Sequence, residues 1–169
     1  MIGFTKNIVL ISTLIFVSAG CTKPTHQTNM NQQILQPSFK TNMVIINGSE
    51  IEIEVANTAA LQQQGLSGRR KLDDNTGMLF DFVATNTVGQ KHFWMIDMQF
   101  NLDIIWIRNN KIIGIDKNVP SPLPNTSPEK LPRYPSPGSI EYALEVNAGW
   151  SDEHKIEVGD TVTLDYQMK

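Results

Sequence analysis

The chain has one cysteine, Cys21. A lone thiol excludes internal disulfides and clustered thiolate metal sites, and its place near the N-terminus leaves the rest of the chain without a cysteine nucleophile. Histidine is also scarce. Beyond the N-terminal region only His92 and His154 occur, which rules out a three-histidine metal centre, and there is no His-Glu-x-x-His helix. EF-hand loops and Gly-x-Ser-x-Gly elbows are missing as well. No cofactor and no metal are expected. Basic charge is thin: 14 Lys and Arg stand against 17 Asp and Glu, and Arg69-Arg70-Lys71 is the densest basic spot. Without a basic face or run, no nucleic-acid partner is expected.

The N-terminus carries the clearest local signal. Lys6 precedes a stretch from Ile8 to Ala19 that is apolar apart from Ser12, Thr13 and Ser18, and small residues lead to Cys21. A positive start, a short apolar core and a small-residue cleavage site read as a signal peptide over residues 1–20. The apolar run is too short to span a bilayer comfortably. Ser18-Ala19-Gly20-Cys21 resembles the lipobox of bacterial lipoproteins, with Ser18 where that signal usually has Leu. The expectation is an extracytoplasmic, membrane-anchored envelope protein with lipid on Cys21. Residues 21–42, rich in Thr, Asn, Gln and Pro, read as a flexible tether.

Residues 43–169 are expected to form a single, mainly β domain: a compact β-sandwich or barrel-like fold with one or two short helices. Asn47-Gly48 is a strong hairpin signal. After it, Ile51, Ile53 and Val55 alternate with Glu50, Glu52 and Glu54, a period of two that sends the aliphatic residues inward and the carboxylates to water. Asn57-Thr58 can cap a helix over 59–64 that Gly65 ends. Strands are expected near 78–83, 92–98, 102–107, 112–115, 142–146 and 161–166, with a short helical turn over 149–155. The proline-rich segment 119–138 can be neither central strand nor helix and reads as a long ordered loop.

Several phrases in order carry a family resemblance: Gln64-Gly65-Leu66-Ser67-Gly68-Arg69, Gly77-Met78-Leu79-Phe80, Phe93-Trp94-Met95, Leu102-Asp103-Ile104, Tyr134-Pro135-Ser136-Pro137-Gly138, Ala143-Leu144-Glu145-Val146-Asn147-Ala148-Gly149 and Val158-Gly159-Asp160. Together they resemble the domain-of-unknown-function family 192 from Val44 to the C-terminus. The resemblance implies a compact, mainly β, often exported domain and no established activity. This chain departs from the family after Phe93-Trp94-Met95, where Ile96, Asp97 and Met98 replace a Lys-Asn-Thr strip. It departs again at Leu131, Pro132 and Arg133, where the family often holds a Cys.

Six residues are candidates for a ligand site: Arg69, Trp94, Asp103, Tyr134, Glu145 and Asn147. Asp103 lies in an otherwise buried run and needs a partner, for which Arg69 is the natural choice. Trp94 and Trp106 are expected in the core, Trp150 and Tyr134 nearer the surface. Ser127-Pro128-Glu129-Lys130 matches Ser-x-x-Lys but lacks the companion motifs and is read as chance. Three functions stay open. The leading one is a non-enzymatic module that binds a small molecule, a glycan or an envelope protein through the proline-rich loop and nearby polar residues. The second is a hydrolase or isomerase acting on envelope carbohydrate, with Asp103 and Glu145 as acid and base, which requires their carboxyls to converge. The third is a structural docking domain. A concave pocket beside Arg69 and Asn147 would separate the first from the third.

Overall fold

A computed structural model describes residues 42–167. The expected signal peptide, Cys21 and nearly all of the tether lie outside the described residues. β1 (Met43–Ile46) and β2 (Ser49–Ala56) form the expected hairpin. Asn47 and Gly48 both take positive φ (51° and 82°), as a two-residue turn matched to strand twist demands. The glutamates of β2 are exposed, while Ile51 and Ile53 are buried. Helix α1 (Ala59–Gln64) starts where Thr58 Oγ1 accepts the Leu61 N–H at 3.2 Å, and it ends at Gly65. It forms part of the crossover that lets β3 (Thr76–Asp81) run parallel to β2.

The remaining strands are β4 (His92–Phe93), β5 (Leu102–Arg108), β6 (Lys111–Val119), β7 (Tyr134–Pro135), β8 (Tyr142–Asn147) and β9 (Val162–Asp165), with α2 (Trp150–Glu153) between the last two. Seven strands form one sheet in the order β6-β5-β8-β3-β2-β1-β9, and β4 and β7 pair as a separate ribbon. The sheet curls until its two edge strands meet at one end: Lys111 bridges Thr161, and the Val162 N–H reaches the Asn110 carbonyl at 2.9 Å. The domain is mainly β, as expected, and takes the barrel-like form.

Side-chain alternation builds two cores from one sheet. Met78, Phe80, Leu102, Ile104, Trp106 and Ala143 face one side, covered by the β4–β7 ribbon and the segment after α1. Leu79, Ile105, Ile107, Leu144 and Val146 face the other, closed by Trp150 and Ile156. Burial on both faces explains why β5 and β8 are apolar almost throughout, a pattern that strands packed on both sides require.

Three expectations fail. The segment 119–138 is not loop throughout, since it holds a single 3-10 turn over Pro128–Lys130 and the strand β7. The strand sought over 92–98 shrinks to His92–Phe93. Asp97 takes a positive φ of 54° and the Met98 N–H bonds the Met95 carbonyl at 3.3 Å, so the chain turns there. The two tryptophans exchange roles. Trp150 is 5% exposed, stacks on His154 with ring centroids 4.2 Å apart, and donates Nε1–H to Asn75 Oδ1. Trp94 is 36% exposed and carries the Arg133 guanidinium 3.7 Å above its ring.

Candidate functional site

The six candidate residues do not form one constellation. Arg69 does not reach Asp103. It forks onto Glu54, with Nη1 and Nη2 at 2.5 and 2.7 Å from the two carboxylate oxygens. This pair holds Glu54 below the usual carboxylate range and raises Arg69. Around it lies a concavity of about 190 Å³, lined by Glu52, Glu54, Arg69, Lys71 and Asp73 among others. Its cations are already satisfied, since Lys71 binds Asp73 as Arg69 binds Glu54. Asn147 is spent elsewhere: its Nδ2 donates to the carbonyls of Leu72 and Asp73 at 3.0 and 3.3 Å. The concavity beside Arg69 does not include Asn147, whose amide instead ties the Leu72–Asp73 segment to β8.

Asp103 is fully buried and accepts only from backbone. Oδ1 takes the N–H groups of Asn118 and Gly149 at 2.8 and 3.1 Å, and Oδ2 takes that of Ser151 at 2.9 Å. Gly149 sits at φ 87°, a conformation most side chains resist, and this geometry helps aim two donors, at the cap and in the first turn of α2, at one carboxylate. The expected ion pair is replaced by a backbone clamp, which satisfies a buried carboxylate without a counter-ion.

The strand register settles the geometry of Asp103 and Glu145. Asp103 pairs with Val146 and Ile104 with Glu145, so the two carboxyls lie on neighbouring strands but on opposite faces of the sheet. They do not share a cleft, and the acid–base pair required of a two-carboxylate glycosidase is absent.

Glu145 has a different setting. It lies in a transverse row across the first face: Glu54, Met78, Glu145, Ile104 and Asp116 are successive register partners from β2 to β6. Glu54 and Asp116 are engaged by Arg69 and by the Trp106 Nε1–H. Glu145 lies between Met78 and Ile104, which offer no polar atom, and among the described residues no side chain or N–H binds its carboxyl. It is 5% exposed, and burial pushes its pKa from 4.5 up to about 8.

That carboxyl lines a cavity of about 180 Å³ bounded by Phe80, Phe82, Lys91, His92, Phe93, Trp94, Ile96, Met98 and the chain from Gln62 to Ser67. Phe93 organises the wall, meeting Phe80, Phe82 and Trp106 edge to face at 4.8, 6.4 and 5.0 Å. The Lys91 ammonium lies 4.5 Å from the centre of Phe82, and burial lowers its pKa. Gly65 permits the close approach of the α1 end, since a Cβ there would come within 3.3 Å of Phe80. Of the candidates, Trp94 and Glu145 meet at this cavity. Tyr134 backs it from β7 by pairing with Phe93 and packing on the same core.

Sequence reasoning missed Phe80, Phe82 and Lys91 as lining residues. The available signal was the alternation of β8, in which Ala143 and Glu145 share a face that Leu144 and Val146 do not. Among the described residues no three His, Cys, Asp or Glu side chains converge as a metal site would require.

No functionally curated protein matches the chain. Two crystal structures resemble it. One is a protein of unknown function from Novosphingobium aromaticivorans, 28% identical, with a TM-score of 0.61 over 72% of this chain and 83% of that one. The other, from Sinorhizobium meliloti, is provisionally named a transcription regulator; it is 25% identical, with a TM-score of 0.62 over 73% of this chain and 93% of that one. The family DUF192, described as an uncharacterised ACR, matches residues 42–164, and the chain belongs to it.

Proposed function

We propose that this DUF192 domain is a non-enzymatic binding module whose ligand occupies the cavity floored by Glu145. One observation carries the reading: a carboxyl that is almost wholly buried, has no protein partner and lines an aromatic cavity. Buried polar groups are normally hydrogen-bonded, and an exception asks for an explanation. Concave, mostly apolar sites with a few converging polar groups are the usual form of small-molecule pockets. The size suits a small ligand, since an apolar cavity of about 150 Å³ holds a benzene molecule. The regulator name given to the Sinorhizobium protein is not carried over, because this chain's net charge of −3 offers no electrostatic footprint for DNA.

Thermal unfolding against a panel of small neutral aromatics, amines, carboxylates, phosphates and monosaccharides tests the reading. A ligand at about 100 times its Kd stabilises the fold by about 2.7 kcal/mol. The methyl resonance of Met98, which lines the cavity, is expected to move with that ligand, while that of Met43 on β1 stays in place. Stabilisation without movement of Met98 places the ligand elsewhere and overturns the proposal.

The module is further proposed to work outside the cytoplasm on a lipid tether at Cys21. Support comes from the charged start, the short apolar stretch and the position of the only cysteine. Bacterial cells making the full chain are expected to incorporate labelled palmitate, and cells making Cys21→Ser are not. An unlabelled wild-type chain removes the anchor from the proposal.

A further inference from the structure

The cavity described above also constrains the charge of its occupant, and this inference rests on reading that cavity as a ligand site. We propose that the occupant is a small organic cation, a primary ammonium on a short apolar or aromatic body, with the body against the wall formed by Phe80, Phe82 and Phe93 and the ammonium on the Glu145 carboxyl.

Three observations converge on a cation. The two oxygens of Glu145 are uncommitted, and their sheet neighbours Met78 and Ile104 have nothing to donate. A carboxyl buried among apolar groups is best satisfied by a donor that also carries positive charge. The lining is aromatic, and the negative faces of such rings attract cations. This chemistry is already in use at the cavity: Lys91 sits over Phe82 and Arg133 over Trp94. Both occupy rings of the wall, while the carboxyl itself is left open.

An anion is disfavoured by the same groups. It would find only the single O–H of the protonated acid to bind, and would lie against a like charge wherever Glu145 ionises. Lys91 and His92 are the other ionisable residues lining the cavity, and the segment from Gln62 to Ser67 contributes no charge. Along the row, Glu54 is neutralised by Arg69, and Asp116 accepts from Trp106. His92 is exposed and Lys91 half-buried, so water screens their repulsion of an entering ammonium more than it screens the attraction of Glu145.

Proton balance gives the inference its own signature. Near neutral pH the carboxyl holds its proton, whereas an ammonium at contact favours the carboxylate. Binding then converts the acid and the free ammonium into an ion pair and one released proton. Affinity should rise with pH up to about 8 and fall again only where the free amine loses its charge.

Calorimetry on the full chain with benzylamine and with benzyl alcohol, its neutral counterpart, is the test. At pH 7.5 benzylamine is expected to bind at least about tenfold more tightly. Titrations in buffers of different ionisation enthalpy should show release approaching about one proton. Glu145→Gln should weaken benzylamine by about tenfold or more and leave benzyl alcohol within about threefold; Glu145→Met repeats the charge removal if the glutamine variant does not fold. If benzyl alcohol binds as well as benzylamine, and Glu145→Gln leaves both unchanged, the cationic class is overturned and the cavity remains a binding site. If neither compound binds while another class stabilises the fold and moves Met98, the cationic class is again overturned and the proposed function stands. If nothing binds there, both fall.

Discussion

Replacing Asp103 with alanine is expected to lower stability by about 3–5 kcal/mol, seen as a fall in Tm of roughly 12–20 °C. The size follows from what is left behind. Three backbone N–H groups, on Asn118, Gly149 and Ser151, lose their acceptor together, and each buried, unsatisfied donor costs about 1–3 kcal/mol. These donors come from the end of β6 and from the turn into α2, so the carboxylate ties two separate parts of the chain to β5. Asp103→Asn should fall between wild type and alanine, because its one remaining oxygen can keep some of the donors while its amide meets another. Chemical denaturation of the three proteins gives the comparison. A loss under about 1 kcal/mol for alanine would show that water or a backbone shift replaces the clamp.

Glu145 produces the opposite effect, a residue whose charge weakens the fold. Its folded pKa, about 8, lies above its ordinary value of 4.5. Below pH 4.5 both folded and unfolded chains hold the proton and the group is neutral to stability. Between 4.5 and 8 the folded chain holds a proton that the unfolded chain has released, so stability falls as pH rises. Above 8 the carboxylate is buried and the full loss is felt, on the order of 5 kcal/mol. The Glu54 pair titrates the other way and at lower pH, since its lowered carboxyl adds stability that is lost on acidification. Urea unfolding at pH 5, 6, 7 and 8 should show wild type weakening while Glu145→Gln stays nearly flat, the variant being clearly the more stable at pH 8. Parallel curves for the two proteins would mean that the carboxyl is solvated or paired, and would withdraw the observation on which the binding site rests.

Much of the scaffold was legible in the residues because local chemistry and final structure agree. Asn47-Gly48, the alternation of β2, the Thr58 cap and the stop at Gly65 each act through near neighbours, and each sits where its pattern places it. The family resemblance, from the order of short phrases, also matches the family to which the chain belongs. The site was legible only in part. Glu145 and Trp94 were among the candidates, but the rings that enclose them come from β3, β4 and the segment between, and nothing local says that these meet. Partners were least legible. Arg69 could have served Asp103 by charge, yet it lies beside β2, while Asp103 points to the opposite face and finds backbone donors instead. Trp94 and Trp150 show the same limit. An apolar neighbourhood in sequence suggested a core position for Trp94 and a turn suggested exposure for Trp150, but the turn after Phe93 and the docking of α2 reversed both.

The sheet order has a consequence for how the chain acquires its structure. β1, β2 and β3 form one set of neighbours and β5 with β6 another, and the two are joined only by β8, which enters between β3 and β5. The far edge is completed by β9 on β1, a pairing between the two ends of the domain. Until β8 is available, therefore, the earlier strands can pair only as two separate half-sheets with open edges, and the β1 edge stays open until β9 follows. Contacts this distant in sequence close slowly, and unpaired edges are where chains associate wrongly. The domain thus cannot complete its sheet from the N-terminus forward. Its sheet is joined and closed at the end, by the two strands that come last.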